Sequence, residues 1–378
     1  MNYNLSPLGN REKWDAVFKK AWQKSHLDFM LLLGLLVLGV IGLTILYSAS
    51  NQNLILFWHQ VANFGFAFIV MCVFAQIPVS RYQFLAPWVF GLTLLMLLAV
   101  MGAGVVSKGA QRWLGFGWLR FQPSEIMKLV MPMMLAWYLR DKVFPLHIKD
   151  LFFSCIVIIF PVLLIAKQPD LGTALLVATT GFFVLLLAGI TWQIMVSAAG
   201  LIIVVLPIAW RFMHAYQKMR LFTFWSPERD PLGSGYNIIQ SKIAIGSGGW
   251  FGKGWLQSSQ AHLQFLPERS TDFIFAVYGE EFGFIGCLLL FFVFGYIIGR
   301  SLYISTNAQD TFSRLFVGSL ALSFFTYFFV NIGMVAGVLP VVGVPLPLVS
   351  YGGSSLITIM AGFGIIMSAQ THRKLIGS

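Results

Sequence analysis

The residues that could do chemistry in this 378-residue chain are the few charged side chains set within or beside long apolar runs. Asp272 stands in the segment LPERSTDFIFAVYG, between a long polar stretch and an apolar run. A carboxylate at a water–lipid boundary is partly desolvated, which makes it a usable general base. The same position suits a helix N-cap, since Asp favours the positive end of a helix. The pattern supports a cap and a catalytic base equally, and the two roles are compatible.

A second pair of charged residues, Glu125 and Lys128, lies in the segment QPSEIMKLVMP. Residues three apart are neighbours on one helical face, and Pro123 marks the start of a helix. One interpretation is a structural ion pair at the mouth of that helix. The other is an anion site, because Arg112 and Arg120 precede the helix, and several cationic donors together could hold a diphosphate.

Three further carboxylates accompany the apolar runs. Asp170, in AKQPDLGTA, follows a proline between two such runs, and a helix cap is the favoured interpretation. Glu280 and Glu281 would lie about 12–13 Å along a helix from Asp272, near the middle of a membrane. Because a lipid-facing carboxylate is untenable there, we expect both to face an interior cavity or a partner.

A polar stretch, PLPLVSYGGSS at residues 345–355, precedes the last apolar run. Its glycines permit tight turns and its prolines stiffen the chain, so Ser350, Tyr351, Gly352 and Gly353 are candidate site residues. A re-entrant turn without chemistry and direct contact with a substrate are about equally supported. The sequence has no histidine pair at metal-ligand spacing, no phosphate-binding glycine loop and no nucleophile elbow, so metal ligands are not identified.

The elements that must position these side chains are membrane helices. Charged residues make up 10% of the chain and apolar residues 58%, whereas soluble domains average roughly 25% charged residues. Apolar runs near the roughly 20-residue length of a membrane span occur at 28–48, 54–76, 83–103, 123–139, 151–167, 171–190, 192–211, 272–299, 313–337 and 353–370. The sequence therefore predicts an all-α integral membrane protein with about ten transmembrane helices.

The distribution of lysine and arginine predicts the orientation, since both favour the cytoplasmic ends of spans. With both termini in the cytoplasm, one large extracytoplasmic loop, residues 212–271, connects the seventh and eighth spans. The predicted organisation is a cytoplasmic amphipathic N-terminal segment at 1–27, a single polytopic membrane domain at 28–370, and a cytoplasmic tail at 371–378. Isoleucines around Lys242 predict a short interfacial helix within the large loop.

The net charge of +11 indicates an anionic partner or surface. No basic stripe lies on a polar domain, so we expect no nucleic acid partner. Anionic lipid headgroups and phosphorylated lipid substrates fit the charge better. The three cysteines, Cys72, Cys155 and Cys287, lie inside apolar runs, so no disulfide is predicted.

Taken together, these motifs resemble those of the SEDS family, the shape, elongation, division and sporulation proteins of the bacterial cell wall. The resemblance is carried by QRWLGFGWLRFQPSEIMKL, KQPDLGTA, LPERSTDFIFAVYGEEFG and PLPLVSYGGSS, in family order along essentially the whole chain. Within the family, the segment VLPVVGVPLPLVSYGG and the ending MSAQTHRK are more similar to the elongation branch than to the division branch.

The resemblance implies an inverting peptidoglycan glycosyltransferase that polymerises lipid II outside the bacterial inner membrane and releases undecaprenyl diphosphate. It implies that Asp272 is the essential acidic residue, and that Arg112, Glu125 and Lys128 are functional positions. The implied partners are lipid II, undecaprenyl-linked glycan, a class B penicillin-binding protein acting as transpeptidase, and other elongation-complex membrane proteins. A divalent cation, Mg²⁺ or Mn²⁺, is the expected cofactor, with ligands that the sequence does not identify.

Our mechanistic hypothesis is that Asp272 takes the proton of the acceptor sugar's 4-hydroxyl as that oxygen attacks the donor's anomeric carbon. Arg112, Lys128 or the cation would neutralise the diphosphate leaving group. The alternative is a lipid II flippase or another lipid-linked transporter, which intramembrane Glu280 and Glu281 would suit. Transport needs a matching cytoplasmic cavity, whereas the polar motifs concentrate on the outer side, so the enzyme is favoured.

Overall fold

The computed structural model describes residues 26–107, 110–116, 119–212, 215–229, 234–263 and 265–372. Nearly all of the predicted amphipathic segment, and the tail beyond His372, lie outside the described residues. The helices are α1 Phe29–Ala49, α2 Leu54–Gln76, α3 Val79–Ala103, α4 Pro123–Leu139, α5 Ile148–Lys167, α6 Leu171–Leu187, α7 Trp192–Phe212, α8 Ala215–Trp225, α9 Ser234–Ser247, α10 Ser259–His262, α11 Ile274–Thr306, α12 Thr311–Val335 and α13 Ser354–Thr371. A short 3₁₀ turn at Pro227–Arg229 lies between α8 and α9.

Every apolar run predicted from the sequence forms a helix, which confirms the predominantly helical class. Among the described residues, seven helices are long and apolar enough to cross a membrane, namely α1, α2, α3, α5, α11, α12 and α13. Helix α6 is equally apolar but has 17 residues. The two other predicted spans form α4 and α7. The chain is therefore a multi-pass membrane protein.

Polar residues at the predicted boundaries start several helices. Asn53 and Asp310 cap α2 and α12, respectively, by accepting hydrogen bonds from backbone N–H groups of the first turn. Asp28 caps α1 in the same way and also binds Arg300 Nη2 at 2.6 Å, which joins α1 to α11. Because the first N–H groups of a helix have no partner within the helix, these caps fix where each apolar run becomes helical.

The segment between α3 and α4 departs from the all-α prediction. It forms three short antiparallel strands, β1 Val105–Ser107, β2 Ala110–Phe116 and β3 Leu119–Phe121, with β2 in the middle. β-Branched and aromatic residues are concentrated in these strands, and such residues suit a pleated surface. The sheet carries Arg112 on its central strand, directly before the start of α4.

Helix α11 is broken at Gly283, where φ is 64° and ψ is −162°. A glycine-rich turn, residues 248–254, inserts its backbone at this break. Phe284 N donates to Gly249 O at 2.9 Å, and Gly254 N donates to Glu281 O at 3.0 Å. Only glycine suits Gly283, because a Cβ there would collide with the backbone of the inserted turn. The large loop thus becomes part of the helix bundle rather than lying over it.

The core is made by close helix packing and by aromatic rings. Helix α13 packs along α2, where Gly364 lies directly against the backbone oxygen of Met71. The Phe324 ring, on α12, lies 5.4 Å from the Phe294 ring and 4.9 Å from the Phe363 ring, centroid to centroid. The predicted helix near Lys242 is confirmed as α9, and its Ser241 hydroxyl donates to Val335 O at 2.8 Å, tying the large loop to α12.

Candidate functional site

A large cavity of about 910 Å³ opens at one end of the bundle. It lies where α4, α6, α11 and α13 begin and α12 ends, and β2 and the segment 340–345 complete its wall. The structure brings most of the sequence-predicted site residues to this wall, namely Arg112, Glu125, Lys128, Asp170, Asp272, Tyr351, Gly352 and Gly353. Ser350 lies behind the wall, and Glu280 and Glu281 lie elsewhere.

Asp272 lines the cavity but does not cap a helix. Helix α11 begins at Ile274, and the N-cap position is Phe273, which makes no side-chain cap bond. The cap interpretation is therefore wrong, because the backbone enters the helix two residues after Asp272. A Cβ built on Gly343 would lie 3.5 Å from Asp272 Oδ2, so the carboxylate faces the bare backbone of that glycine. Asn331 Nδ2 donates to Asp272 O at 2.9 Å and fixes the backbone on this side.

The segment that precedes α13 supports the backbone beside Asp272. Ser350 Oγ donates to Thr271 O at 2.6 Å and accepts a hydrogen bond from Leu346 N at 2.8 Å. Tyr351 N donates to Ser270 O at 2.9 Å. The segment PLPLVSYGGSS folds back on itself, and its two glycines line the cavity, while direct contact with a substrate stays a prediction. Ser350 thus joins the backbone beside Asp272 to the segment that precedes α13.

Glu125 and Lys128 form the ion pair that their spacing predicted. Lys128 Nζ lies 2.6 Å from Glu125 Oε1, and the two side chains are 6% and 12% exposed. The ammonium also lies 5.0 Å from the centroid of the Tyr327 ring, a cation–π contact that the sequence did not reveal. Both residues line the large cavity. The structural ion pair is therefore confirmed, and its place on the cavity wall leaves the anion site as a prediction.

Arg112 and Asp170 meet at the start of α6. Asp170 accepts a hydrogen bond from Thr173 N at 3.2 Å, which confirms it as the cap of this helix. Its Oδ2 also accepts from Gln122 Nε2 at 3.0 Å and lies 3.6 Å from Arg112 Nε. Arg112 Nη2 donates to Pro169 O. Asp170 thus holds the guanidinium of β2 against the cavity wall.

Glu280 and Glu281 lie beside the break in α11 and do not line the large cavity. Both are at most 1% exposed. Glu280 Oε1 lies 2.6 Å from Lys253 Nζ and accepts from Ser259 Oγ at 2.8 Å, and Ser48 Oγ donates to Glu281 Oε1. The expected helix from Asp272 through these residues starts two residues later, at Ile274, and then runs through both glutamates to the break at Gly283. The partners described for them lie in α1 and in the large loop, and neither glutamate lines the large cavity.

Six ionisable side chains, excluding tyrosine, line the large cavity. The two basic ones are Arg112 and Lys128, and the four acidic ones are Glu125, Asp170, Glu268 and Asp272. Among the described residues the wall therefore has more acidic than basic side chains, although each of these two basic residues is paired with a carboxylate. Within the described ranges, no three His, Cys, Asp or Glu side chains converge as a preformed metal site.

The chain is similar to a known protein family over nearly its whole length. Residues 24–375 match the model of the FtsW, RodA and SpoVE family, described as cell cycle proteins. The peptidoglycan glycosyltransferase MrdB of Escherichia coli K12 is 50% identical over 359 residues, covering 95% of this chain and 97% of that protein. The MrdB protein of Helicobacter pylori is 36% identical over 378 residues, covering 96% of this chain and 94% of that protein.

Two solved structures share the fold. A chain from a peptidoglycan synthase complex that coordinates polymerization and crosslinking superposes with a TM-score of 0.81 and 31% identity, covering 92% of this chain and 99% of that chain. The rod shape determining protein RodA of Thermus thermophilus superposes with a TM-score of 0.70 and 27% identity, covering 92% and 98%. The similarity extends over nearly the whole of each chain.

Proposed function

This chain belongs to the FtsW, RodA and SpoVE family of cell cycle proteins, and from that premise we propose that it is a peptidoglycan glycosyltransferase of cell elongation. It polymerises lipid II into β-1,4 glycan and releases undecaprenyl diphosphate. The observation that carries the proposal is the large cavity, which gathers Asp272, Arg112 and the Glu125–Lys128 pair from distant parts of the chain. Half of all aligned residues are identical to those of a relative named for this activity.

Asp272 acts as the general base in this proposal. Its carboxylate takes the proton of the acceptor's 4-hydroxyl while that oxygen attacks the donor's anomeric carbon and the carbon–diphosphate bond breaks. One displacement inverts the anomeric centre. The support for this role is positional: Asp272 lines the cavity, does not cap α11, and is held by backbone bonds from Asn331 and through the Ser350 segment.

Lys128 and Arg112 face the leaving diphosphate in this arrangement, but they do not balance its charge alone. Among the wall residues that the structure describes, four carboxylates outnumber two cations, so an anionic substrate would meet an acidic surplus there. A divalent cation, Mg²⁺ or Mn²⁺, fits this chemistry and would neutralise the diphosphate. Among the described residues, Glu125 accepts a hydrogen bond from Lys128 through Oε1 only. We therefore propose that Glu125, together with phosphate oxygens of the substrate, would bind the cation.

The finer topology is part of the same proposal. With about ten spans, both termini lie on the same side of the membrane. We place them in the cytoplasm, because most lysines and arginines of the short loops then lie on the cytoplasmic side. The large cavity then opens outside the inner membrane, beside the large loop. We expect a class B penicillin-binding protein to bind the chain there and to crosslink the glycan. The relative from the peptidoglycan synthase complex supports such an assembly.

The test is glycan polymerisation from purified lipid II in nanodiscs, using the full chain with its cognate class B penicillin-binding partner and Mg²⁺. Wild type, Asp272→Asn and Glu228→Gln are compared, because Glu228 is an exposed acid of the large loop and gives a matched control. We expect polymer from wild type and Glu228→Gln, and none from Asp272→Asn. Chelation by EDTA should stop the reaction, and added Mg²⁺ or Mn²⁺ should restore it.

Two results would contradict the proposal. Polymer from Asp272→Asn at the wild-type rate would exclude this carboxylate as the base. Failure of the folded, partner-bound wild type to polymerise lipid II would exclude the glycosyltransferase activity. Transport of lipid II across the membrane of vesicles with the same lipid composition would then be assayed as the competing function.

A further inference from the structure

One face of helix α12 contacts two of the charged residues that line the large cavity. The Lys128 ammonium lies over the Tyr327 ring, 5.0 Å from its centroid. Asn331, one turn further along α12, donates from Nδ2 to Asp272 O at 2.9 Å. Residues four apart on a helix are neighbours, with about 5–6 Å between their Cβ atoms. The cation and the carboxylate that the proposed function uses are therefore both contacted from the same face of one helix.

The Tyr327 ring is fixed by its surroundings. Tyr327 is 6% exposed and forms a small apolar cluster with Leu176 of α6 and with Val344. Val344 O accepts a hydrogen bond of 2.7 Å from Asn331 Nδ2, the same atom that donates to Asp272 O. Because interiors are close-packed, the ring cannot turn away from the ammonium without disturbing this cluster.

The ring face stabilises the ammonium without adding negative charge to the cavity wall. Lys128 is 6% exposed, and burial of a charge costs free energy unless partners compensate for it. Glu125 Oε1 compensates in part, by accepting a hydrogen bond of 2.6 Å from Lys128 Nζ. A second carboxylate would hold the ammonium too, but it would repel a diphosphate. An aromatic ring attracts a cation to its electron-rich face and is itself neutral, so the cation stays available to an anionic ligand.

We propose that Tyr327 is a positioning residue whose ring face holds the Lys128 ammonium at the place where the substrate's diphosphate leaves. The inference rests on the proposed function, because it explains how Lys128 is kept charged and fixed during that reaction. Tyr327 acts through Lys128 and takes no part in making or breaking bonds. The required feature is the ring face and not the hydroxyl.

The experiment changes the charge of the ring face and leaves its shape. Fluorine withdraws electron density from an aromatic face, so each added fluorine weakens a cation–π contact while ring size hardly changes. Tyr327 is replaced by phenylalanine and by mono-, di- and trifluorinated phenylalanine, through amber suppression in the full chain. The matched control is the same series at Tyr303, whose ring centroid lies 5.2 Å from Arg300 Cζ and which does not line the large cavity.

Initial rates are measured with lipid II, Mg²⁺ and the cognate penicillin-binding partner in nanodiscs. Tyr327→Phe should keep kcat/KM within about threefold of wild type, because the ring face remains. From the unfluorinated to the trifluorinated ring, kcat/KM should fall stepwise by about tenfold, as expected for loss of a buried cation–π contact. Tyr327→Leu should lose the same factor, and the series at Tyr303 should be flat. The affinity of the folded protein for undecaprenyl diphosphate should fall in the same order as kcat/KM.

Three results would overturn the inference. A flat series at Tyr327, in proteins of native thermal stability, would reduce the ring to a packing role. Loss of activity in Tyr327→Phe would assign the role to the hydroxyl, and equal rates in Tyr327→Leu and Tyr327→Phe would exclude the ring face.

Failure of this inference is distinguishable from failure of the proposed function. Polymerisation by the wild type with a flat series at Tyr327 would remove the role of the ring but keep the enzyme. A wild type that does not polymerise, but whose affinity for undecaprenyl diphosphate follows the fluorine series, would keep the role of the ring and exclude the proposed activity.

Discussion

Two groups of carboxylates lie on either side of the start of α11 and are used in different ways. Asp272 lies before the helix, on the wall of the large cavity. Glu280 lies within the helix, where Lys253 Nζ and the hydroxyls of Ser258 and Ser259 all donate to it. One carboxylate faces space that a ligand can enter, while the other is enclosed by donors of its own chain.

The difference teaches that burial of an acid in a membrane protein is not by itself evidence of catalysis. The free energy of desolvating Glu280 is offset by an ion pair and by several hydrogen bonds, as a structural charge requires. These bonds close the large loop onto the break at Gly283. Asp272, the acid that we propose as the general base, is instead held by bonds to its backbone and lines the large cavity.

The largest expected effect is on the rate of polymerisation, and it separates the two carboxylates. Asp272→Asn should lower the rate about 10³-fold, since loss of a general base costs about 10²–10⁴-fold. Glu280→Gln, measured per folded molecule, should stay within about threefold of wild type, because Glu280 does not line the cavity. Initial rates with lipid II check both. A larger loss of rate in Glu280→Gln than in Asp272→Asn would reverse the comparison.

Stability should show the opposite order. Glu280→Gln should lower the free energy of unfolding by about 2–3 kcal/mol, because it weakens charged hydrogen bonds and leaves Lys253 without its partner. Asp272→Asn should change it by less than about 0.5 kcal/mol, because asparagine has the same shape and the bond from Asn331 is to the backbone. Thermal and denaturant unfolding in one detergent would measure both. Glu228→Gln serves as the exposed control, and equal losses in the first two variants would contradict the assignment.

The Glu125–Lys128 pair tests whether one arrangement serves both fold and function. Lys128→Met should lower the free energy of unfolding by about 2 kcal/mol, since Glu125 is left as an unpaired, largely buried acid. The double variant with Glu125→Gln should recover most of that stability, because no unpaired charge remains. It should not recover polymerisation. Recovery of both would reduce the pair to a structural role.

The smallest effect is expected at the support of the Asp272 loop. Ser350→Ala removes a hydroxyl that joins Thr271 O to Leu346 N and should cost about 1 kcal/mol of stability. The rate should fall about tenfold with little change in the lipid II concentration at half-maximal rate, because the base is misplaced rather than lost. Ser197→Ala is the control, since its hydroxyl bonds only within its own exposed helix turn. Ser350→Thr, which keeps a hydroxyl, should recover part of the rate.

Spacing along the sequence was sufficient for features that depend on near neighbours. The apolar runs predicted the helices, because a membrane span needs a continuous apolar length. Glu125 and Lys128 were predicted to pair because three residues separate them on a helix, and Asp170 was predicted to cap α6 because it precedes the first turn. Each of these rests on the geometry of one helix or its end, which the local sequence determines.

Tertiary structure alone decided which polar groups share a space. Asn331, which holds the backbone of Asp272, is 59 residues away along the chain. The partners of Glu280 come from the large loop, and the wall of the large cavity joins residues as far apart along the chain as Arg112 and Ser355. Helix α11 also begins two residues after Asp272, later than the sequence suggested. The backbone before it is held by hydrogen bonds from Asn331 and Ser350. Contacts between distant segments depend on how faces pack in space, and no local spacing encodes that packing.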